Sequence, residues 1–437
     1  MTISHKIELI PNNKAKTHFK KAFGCARLAY NWGLAKWQEN YKQGIKSSYL
    51  DLKKEFNAIK KEKFPFVYEV SKYATQQPFL NLNEAFKKFF RDLKQGKVSY
   101  PKFKKKRDNF GSYYIGGDQA VLTNKPKISK KFKQESTNKP LYLKVPNLGY
   151  VKMREALRFN GKINSVTISQ NADKFYAAFS VEINSQEFNK THKPCKDINQ
   201  GIGIDIGLKA FVSLSNGFMI KAPKPLNKLK RLMIKRSRQL AKKQHPKTKG
   251  EVLKGVKKSA NYKKATMKLN KIHKRISNIR SDFLHKLTSH LVRNYNYFAL
   301  EDLNVSGMMK NHKLARSLSD VSFYKFRRML EYKAGYNDKK IIIADRFYPS
   351  SKTCHKCGSI KADLTLKDRV YICDECGLEC DRDYNASINL YTLISKQIGQ
   401  VLPEFTPADL TALQDDLAIN SLVTSKVETG IQRKSCL

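Results

Sequence analysis

The chain has 437 residues, 85 of them Lys or Arg against 37 Asp or Glu, for a formal net charge of +48. So much charge of one sign needs a polyanion to neutralise it, and nucleic acid does so through counterion release along its phosphates. A membrane partner is not expected: no apolar run is long enough to span a bilayer and no lipidation motif is present. The start, Met1-Thr2-Ile3-Ser4-His5-Lys6, lacks the apolar core of a signal peptide, so the expected location is the cytoplasm, with reduced thiols. At 41% hydrophobic residues, there is material for about two to four domains.

Residues 1–10 alternate into a short strand (Ile7, Leu9) that ends at Pro11. From about Lys14 to Lys94 the apolar spacing is helical, from Phe19 and Phe23 through to Phe86, Phe89 and Phe90. Trp32, Trp37 and Tyr41 are expected to pack between these helices. Gly96 and Pro101 end the helical pattern, and a basic run follows at Lys102, Lys104, Lys105, Lys106 and Arg107. Residues 110–185 read as short strands divided by Gly116-Gly117, Pro146, Gly149 and Gly161, with 163–169 and 175–183 as a hairpin. Residues 1–190 therefore read as a small β-barrel interrupted by a helical insert, followed by a linker to about residue 200.

Ile202-Gly203-Ile204-Asp205-Ile206-Gly207 is an apolar strand containing one acid. It continues through Ala210–Leu214, and Asn216-Gly217 between apolar runs is a hairpin signal. Residues 226–280 carry twenty Lys and Arg and one acid, Glu251, on a helix-like background broken at His245-Pro246 and Gly250. One sign dominates too heavily for a salt-bridged surface, which favours phosphate contact. A helix through Phe283, Leu287 and Leu291 leads to a strand, Tyr297–Leu300, that delivers Glu301. Phe323, Phe326 and Leu330 mark another helix, and Ile341–Ala344 a buried strand. A last helix runs through Ile388, Leu390 and Tyr391, and periodicity weakens after about residue 396.

Two constellations carry chemistry. Cys354, Cys357, Cys373 and Cys376 have C-x2-C-x15-C-x2-C spacing, with Gly358 and Gly377 placed for the turns. Four thiolates at that spacing suit structural Zn2+ in a tetrahedral site; Cys380 and His355 are spare neighbours. Asp205 inside one apolar strand, Glu301 at the end of another and Asp383 at the start of a helix form the second. Charge in or beside a buried strand needs compensation, and three such acids argue for two Mg2+ or Mn2+ ions. Acids on a first strand, a later strand and a late helix give the order of an RNase H-like nuclease.

Four motifs together carry a resemblance: Gly203-Ile204-Asp205-Ile206-Gly207, Leu300-Glu301-Asp302-Leu303-Asn304-Val305, Pro349-Ser350-Ser351-Lys352-Thr353-Cys354 and Asp381-Arg382-Asp383-Tyr384-Asn385-Ala386. They resemble the RuvC domain of TnpB, the RNA-guided nucleases of insertion sequences, thought ancestral to type V CRISPR effectors. Ala29-Tyr30-Asn31-Trp32 and Tyr100-Pro101-Lys102-Phe103-Lys104 fit the same family, so the resemblance extends from residue 1 to about 396.

The resemblance implies an α+β multidomain protein: a wedge β-barrel (1–13 and 95–190), a helical recognition domain (14–94) and a linker (191–200). A RuvC nuclease domain (201–352 and 381–396) with an inserted zinc ribbon (353–380) follows, then a partly disordered tail (397–437). It implies a guide RNA from the transposon right end, double-stranded target DNA with a short adjacent motif, and a separate transposase. Asp205, Glu301 and Asp383 are then the catalytic acids. The family's acid directly follows the apolar strand, selecting Glu301 over Asp302. The family's last acid precedes the x-Asn-Ala step, selecting Asp383 over Asp381, which could instead cap the helix. Asn385 and Arg382 would support the acids or simply pack the helix. The competing readings are a transposase or resolvase without a guide and a nuclease-dead DNA-binding regulator.

Overall fold

The computed structural model describes residues 1–106, 109–124, 141–191, 200–243, 259–365, 367–399 and 423–424. The expected linker and C-terminal tail therefore lie largely outside the described residues, as do Arg107 and the stretch 244–258 of the basic segment. The chain divides into two compact units, Met1–Lys193 with Lys243–Lys271, and Pro194–Lys242 with Ile272–Leu437.

In the first unit, β1 (Thr2–Ile10) buries Ile3, Ile7 and Leu9 on one face, as the period of two requires. Asn12 accepts the amide of Ala15 at 2.8 Å to begin α1 (Asn13–Lys42). Ser48 and Asp51 form a reciprocal capping box at the start of α2 (Tyr49–Lys63), and α3 (Lys72–Leu93) follows. Then come β2 (Phe110–Gly116), β3 (Val121–Thr123), β4 (Tyr142–Val145), β5 (Gly149–Met153), β6 (Lys162–Asn171), β7 (Lys174–Glu182) and α4 (Ser185–Thr191).

The seven strands form one antiparallel sheet in the order β2-β6-β7-β1-β5-β4-β3. Among the described residues β2 and β3 do not pair with each other, so the expected barrel is an open ladder. Phe19 and Phe23 of α1 pack on its face against Phe175 and Tyr113. The three helices share a core of Leu34, Leu52, Phe56, Phe79 and Phe86, onto which Trp32 and Trp37 fold. Tyr41 departs from the expectation and is 79% exposed, because it stands in the last turn of α1, beyond that core.

The second unit is built on β8 (Gly201–Asp205), β9 (Val212–Leu214) and β10 (Met219–Ile220), then α5 (Pro225–Ala241) and, from Ile272 onward, α6 (Ala260–Asn294). After these come β11 (Tyr297–Glu301), α7 (Val305–Met308), α8 (His312–Val321), α9 (Phe323–Tyr336) and β12 (Lys340–Ala344). The chain closes with the small pair β13 (Val370–Ile372) and β14 (Glu379–Asp381), α10 (Arg382–Ile398) and β15 (Val423–Thr424). The main sheet is mixed, in the order β12-β11-β8-β9-β10-β15, with β8, β11 and β12 parallel and the rest antiparallel.

Both faces of the sheet are covered, which is why β8 and β11 read as continuous apolar runs rather than alternating ones. On one face Phe211 is surrounded by Phe283, Phe323 and Phe326 from α6 and α9, with ring centroids 5.3–5.9 Å apart. On the other, Leu390 and Ile394 of α10 pack on Ala299, Ile342 and Ala344. Lys224, the residue before α5, supplies no side-chain cap; Asp320 of α8 instead accepts the amides of Leu226 and Asn227 at 2.9 and 3.0 Å. Asp320, 5% exposed, also pairs with Arg280 of α6 at 2.9 Å. Among the described residues no helix is long and apolar enough to cross a membrane.

Candidate active site and metal centre

β8 and β11 run side by side with Leu300 opposite Ile204, so their last residues, Asp205 and Glu301, emerge at the same end of the sheet. α10 supplies the third acid by crossing β8. A Cβ on Gly203 would collide with the Ser387 carbonyl oxygen and the Tyr391 amide nitrogen of α10, so only glycine permits this seat. The Asp383 carboxylate then lies over the loop after β8, with Oδ2 3.9 Å from where a Gly207 Cβ would stand.

The three acids feel one another. Burial, then the charges of Glu301 and Asp383, push the Asp205 carboxyl well above the usual carboxylate range. Burial also raises Glu301, against the opposing effect of a hydrogen bond from the Ser350 hydroxyl. Arg382 reaches Asp383 at 2.9 Å, both side chains being 13% exposed, and supplies nearby positive charge. Three partly buried carboxylates with mutually unfavourable charge are a hard-oxygen donor set that fits Mg2+ or Mn2+. Among the described residues, no three acids bring one oxygen each within 4.8 Å, so the group is more open than the thiolate cluster.

The acids beside these three have other partners. Asp302 is bridged by Arg327 at 2.8 Å and Arg346 at 2.6 Å, and the guanidinium hydrogen bonds hold its carboxyl below the ordinary range. Asp381 accepts the amides of Asp383 at 2.8 Å and Tyr384 at 3.2 Å, the geometry of a helix cap.

Cys354, Cys357, Cys373 and Cys376 bring their four sulfurs within 4.8 Å of one another. The Cys354–Cys376 and Cys357–Cys373 separations are 3.6 and 3.5 Å. Those are far beyond a disulfide and near the ~3.8 Å edge of a tetrahedron with metal–sulfur bonds of about 2.3 Å. Gly358 and Gly377 follow the two pairs at φ +81° and +65°, and each donates its amide to the first cysteine's carbonyl, at 2.9 and 3.1 Å. The Ser359 hydroxyl, 3.1 Å from Cys373 Sγ, holds that thiol down at about 6, favouring the thiolate that a metal needs. The cluster fits zinc. Cys380 is outside it, packed with Tyr371 and Leu378.

A polar seam joins the two constellations. Asn385 and Asn389, one turn apart on α10, are 0% and 4% exposed. Asn385 donates to the Thr353 carbonyl at 2.7 Å, and its Oδ1 meets the His355 amide and ring Nδ1 at 3.1 and 2.8 Å. Asn389 donates to the carbonyls of Ser350 at 2.7 Å and Thr353 at 2.6 Å. Asn385 is thus a clamp on the segment that carries Cys354, and His355 is its partner rather than a spare ligand. The sequence reading missed Asn389 and gave Ser350 no role; the only signal was a second Asn one helical turn after Asn385.

Three family models match the chain: "Helix-turn-helix domain" over residues 1–46, "Probable transposase" of the IS605 OrfB family over 178–312, and "Cas12f1-like, TNB domain" over 323–390. The first covers β1 and α1, and the third contains the cysteine cluster and Asp383. A Streptomyces pristinaespiralis protein named as an RNA-guided DNA endonuclease is 31% identical over 388 residues, 88% of this chain and 87% of its own. The Escherichia coli K12 protein named as RNA-guided DNA endonuclease InsQ is 26% identical over 404 residues, 88% of this chain and 90% of its own. Among solved structures, a Cas12f1–sgRNA–target DNA complex overlays at a TM-score of 0.31 with 14% identity, covering 90% of this chain and 99% of that one. With the 31% identical relative matched over 88% of its length and the OrfB family models beside it, the chain belongs to the TnpB family of IS605 OrfB proteins.

Proposed function

We propose that this protein is an RNA-guided DNA endonuclease that hydrolyses phosphodiester bonds with Asp205, Glu301 and Asp383. The carrying observation is the delivery of Asp205 and Glu301 to one sheet end by the parallel register of β8 and β11, with Asp383 brought over them by α10. The sheet order, with a hairpin-connected antiparallel half and a parallel half, supports an RNase H-like reading of the second unit. With two Mg2+ or Mn2+ ions bound to these oxygens, the chemistry supplied is activation of a water and neutralisation of the leaving 3′ oxygen. The protein's own part is to hold the three carboxylates in place at one end of the sheet, and Arg382 steadies Asp383.

In this reading the antiparallel sheet of the first unit is the wedge domain and α1–α3 the recognition domain. Residues 353–380 are a zinc ribbon inserted before the last acid. The partners are a guide RNA from the element's right end and double-stranded target DNA beside a short motif, met in the cytoplasm. The net charge of +48 supports both contacts.

The test is to express the chain with its native downstream DNA, sequence the RNA that copurifies, and offer matching DNA in Mg2+. A discrete guide and guide-dependent cleavage, lost in Asp205→Ala with RNA binding kept, is the expected result. Cleavage without RNA would favour a resolvase-type nuclease. Unchanged function in Asp205→Ala would favour a regulator with a vestigial site.

A further inference from the structure

Glu301 is the only one of the three acids whose carboxylate accepts a hydrogen bond from a neutral side chain among the described contacts, and that donor is Ser350. Ser350 lies 49 positions along the chain from Glu301 and is 2% exposed, so the hydroxyl is sealed against the carboxylate rather than shared with solvent. Its place is fixed from two sides. The Ser350 amide donates to the Tyr348 carbonyl at 2.8 Å, and its carbonyl accepts from Asn389 at 2.7 Å. Asn389 uses the same amide group to hold the Thr353 carbonyl, immediately before the first zinc-type ligand, Cys354. Asn385 holds that carbonyl as well, from a position two residues beyond Asp383.

We propose that Ser350 is a positioning residue for Glu301, and that Asn389 sets its place as the shared anchor of the cysteine cluster and the carboxylate site. The proposal rests on the reading of Asp205, Glu301 and Asp383 as ligands of divalent ions. The Glu301 carboxylate at a strand end can rotate about three side-chain bonds, and a metal site needs one of its orientations. A buried hydroxyl on one oxygen selects that orientation and leaves the other oxygen free to face Asp205 and Asp383. Hydrogen-bonded partners of ligating carboxylates commonly change metal affinity by about 10–100-fold when removed. Asn389 makes the same selection at one remove: both its amide hydrogens serve the segment 350–353, so Ser350 cannot drift without breaking bonds that also hold Cys354. The cysteine cluster therefore fixes Glu301 through Ser350 as well as Asp383 through α10.

The test is Mn2+ binding to the full-length chain, read by the electron paramagnetic resonance signal of the bound ion, with zinc content measured on the same samples. Ser350→Ala is expected to keep one zinc per chain, weaken Mn2+ binding about tenfold or more, and change the bound-ion spectrum. Ser350→Thr, which keeps the hydroxyl, is expected to restore affinity and spectrum. Wild-type Mn2+ affinity and spectrum in Ser350→Ala would overturn the proposal. So would equal loss in the Ala and Thr variants, since that would assign the effect to packing. Glu301→Gln separates the two claims: if it too binds Mn2+ as the wild type does, the carboxylate-site reading fails. If Glu301→Gln loses Mn2+ while Ser350→Ala does not, only the positioning role fails.

Discussion

Asp381 Oδ1 accepts the backbone amide of Asp383 at 2.8 Å, so of two acids two residues apart, one holds the helix on which the other is presented. The roles separate by mutation. Asp381→Ala removes a helix cap and should cost about 1 kcal/mol of stability, with cleavage reduced but measurable. Asp383→Asn should abolish cleavage while the chain still folds, its unfolding free energy shifted only by the loss of the charge pair with Arg382. Denaturant unfolding and guide-dependent cleavage, measured side by side, decide the matter; the reverse pattern would make Asp381 the site residue.

The raised carboxyl of Asp205 makes a prediction about pH. For an acid whose folded pKa lies above its unfolded value, the unfolded chain ionises first as pH rises, from about pH 4. Folding stability therefore falls through the window between the unfolded and folded values, and the deficit persists above it. Glu301 acts in the same direction. In EDTA, Asp205→Asn should melt higher than the wild type at pH 7, and the difference should vanish towards pH 4. Adding Mn2+ should raise the wild-type melting temperature and leave the variant nearly unmoved. A variant less stable than the wild type at every pH would show that the carboxylates are not in conflict.

What the sequence disclosed follows from the range of each signal. The cysteine cluster was legible because each pair is local, with a glycine supplying the left-handed turn. The three acids stood out as charges in or beside apolar runs, but the parallel pairing of β8 with β11 that brings two of them to one sheet end was not legible. Ser350 and Asn389 gave no such signal, since their partners lie 49 and 39 residues away and neither residue type is unusual where it stands. The same limit hid that the first sheet stays open among the described residues: β1 pairs with both β7 and β5, but nothing in the alternation of the strands says whether β2 meets β3. Tyr41 fits the helical period of its neighbours and still lies outside the core, because periodicity gives direction around a helix and not how far the packing partner extends.

The cysteine cluster should govern the carboxylates without forming part of them. Cys373→Ser removes the thiol with the most thiolate character, and zinc per chain should fall from one to near zero. The segment 350–381 should then become sensitive to limited proteolysis while β8 and β11 remain protected. Mn2+ affinity should fall about tenfold, because both Ser350 and α10 lose their common anchor. Full Mn2+ binding in a zinc-free variant would break the link between the two centres.

Asp320 offers a case in which charge and geometry predict opposite results. α5 carries six Lys and Arg residues and fully buries only Pro225, and the Asp320 carboxylate holds its N-terminus. Asp320→Ala leaves Arg280, 17% exposed, without this carboxylate partner, and should cost about 3 kcal/mol. It also raises the net charge by one, so a purely electrostatic account expects tighter nucleic-acid binding. If α5 presents its cations to phosphate as an ordered helix, affinity should instead fall several-fold, with a shallower dependence on salt. Asp320→Asn adds the same charge but keeps an oxygen able to accept one α5 amide, and should bind closer to the wild type. Tighter binding in both variants would show that the position of α5 is irrelevant and that its charge alone matters.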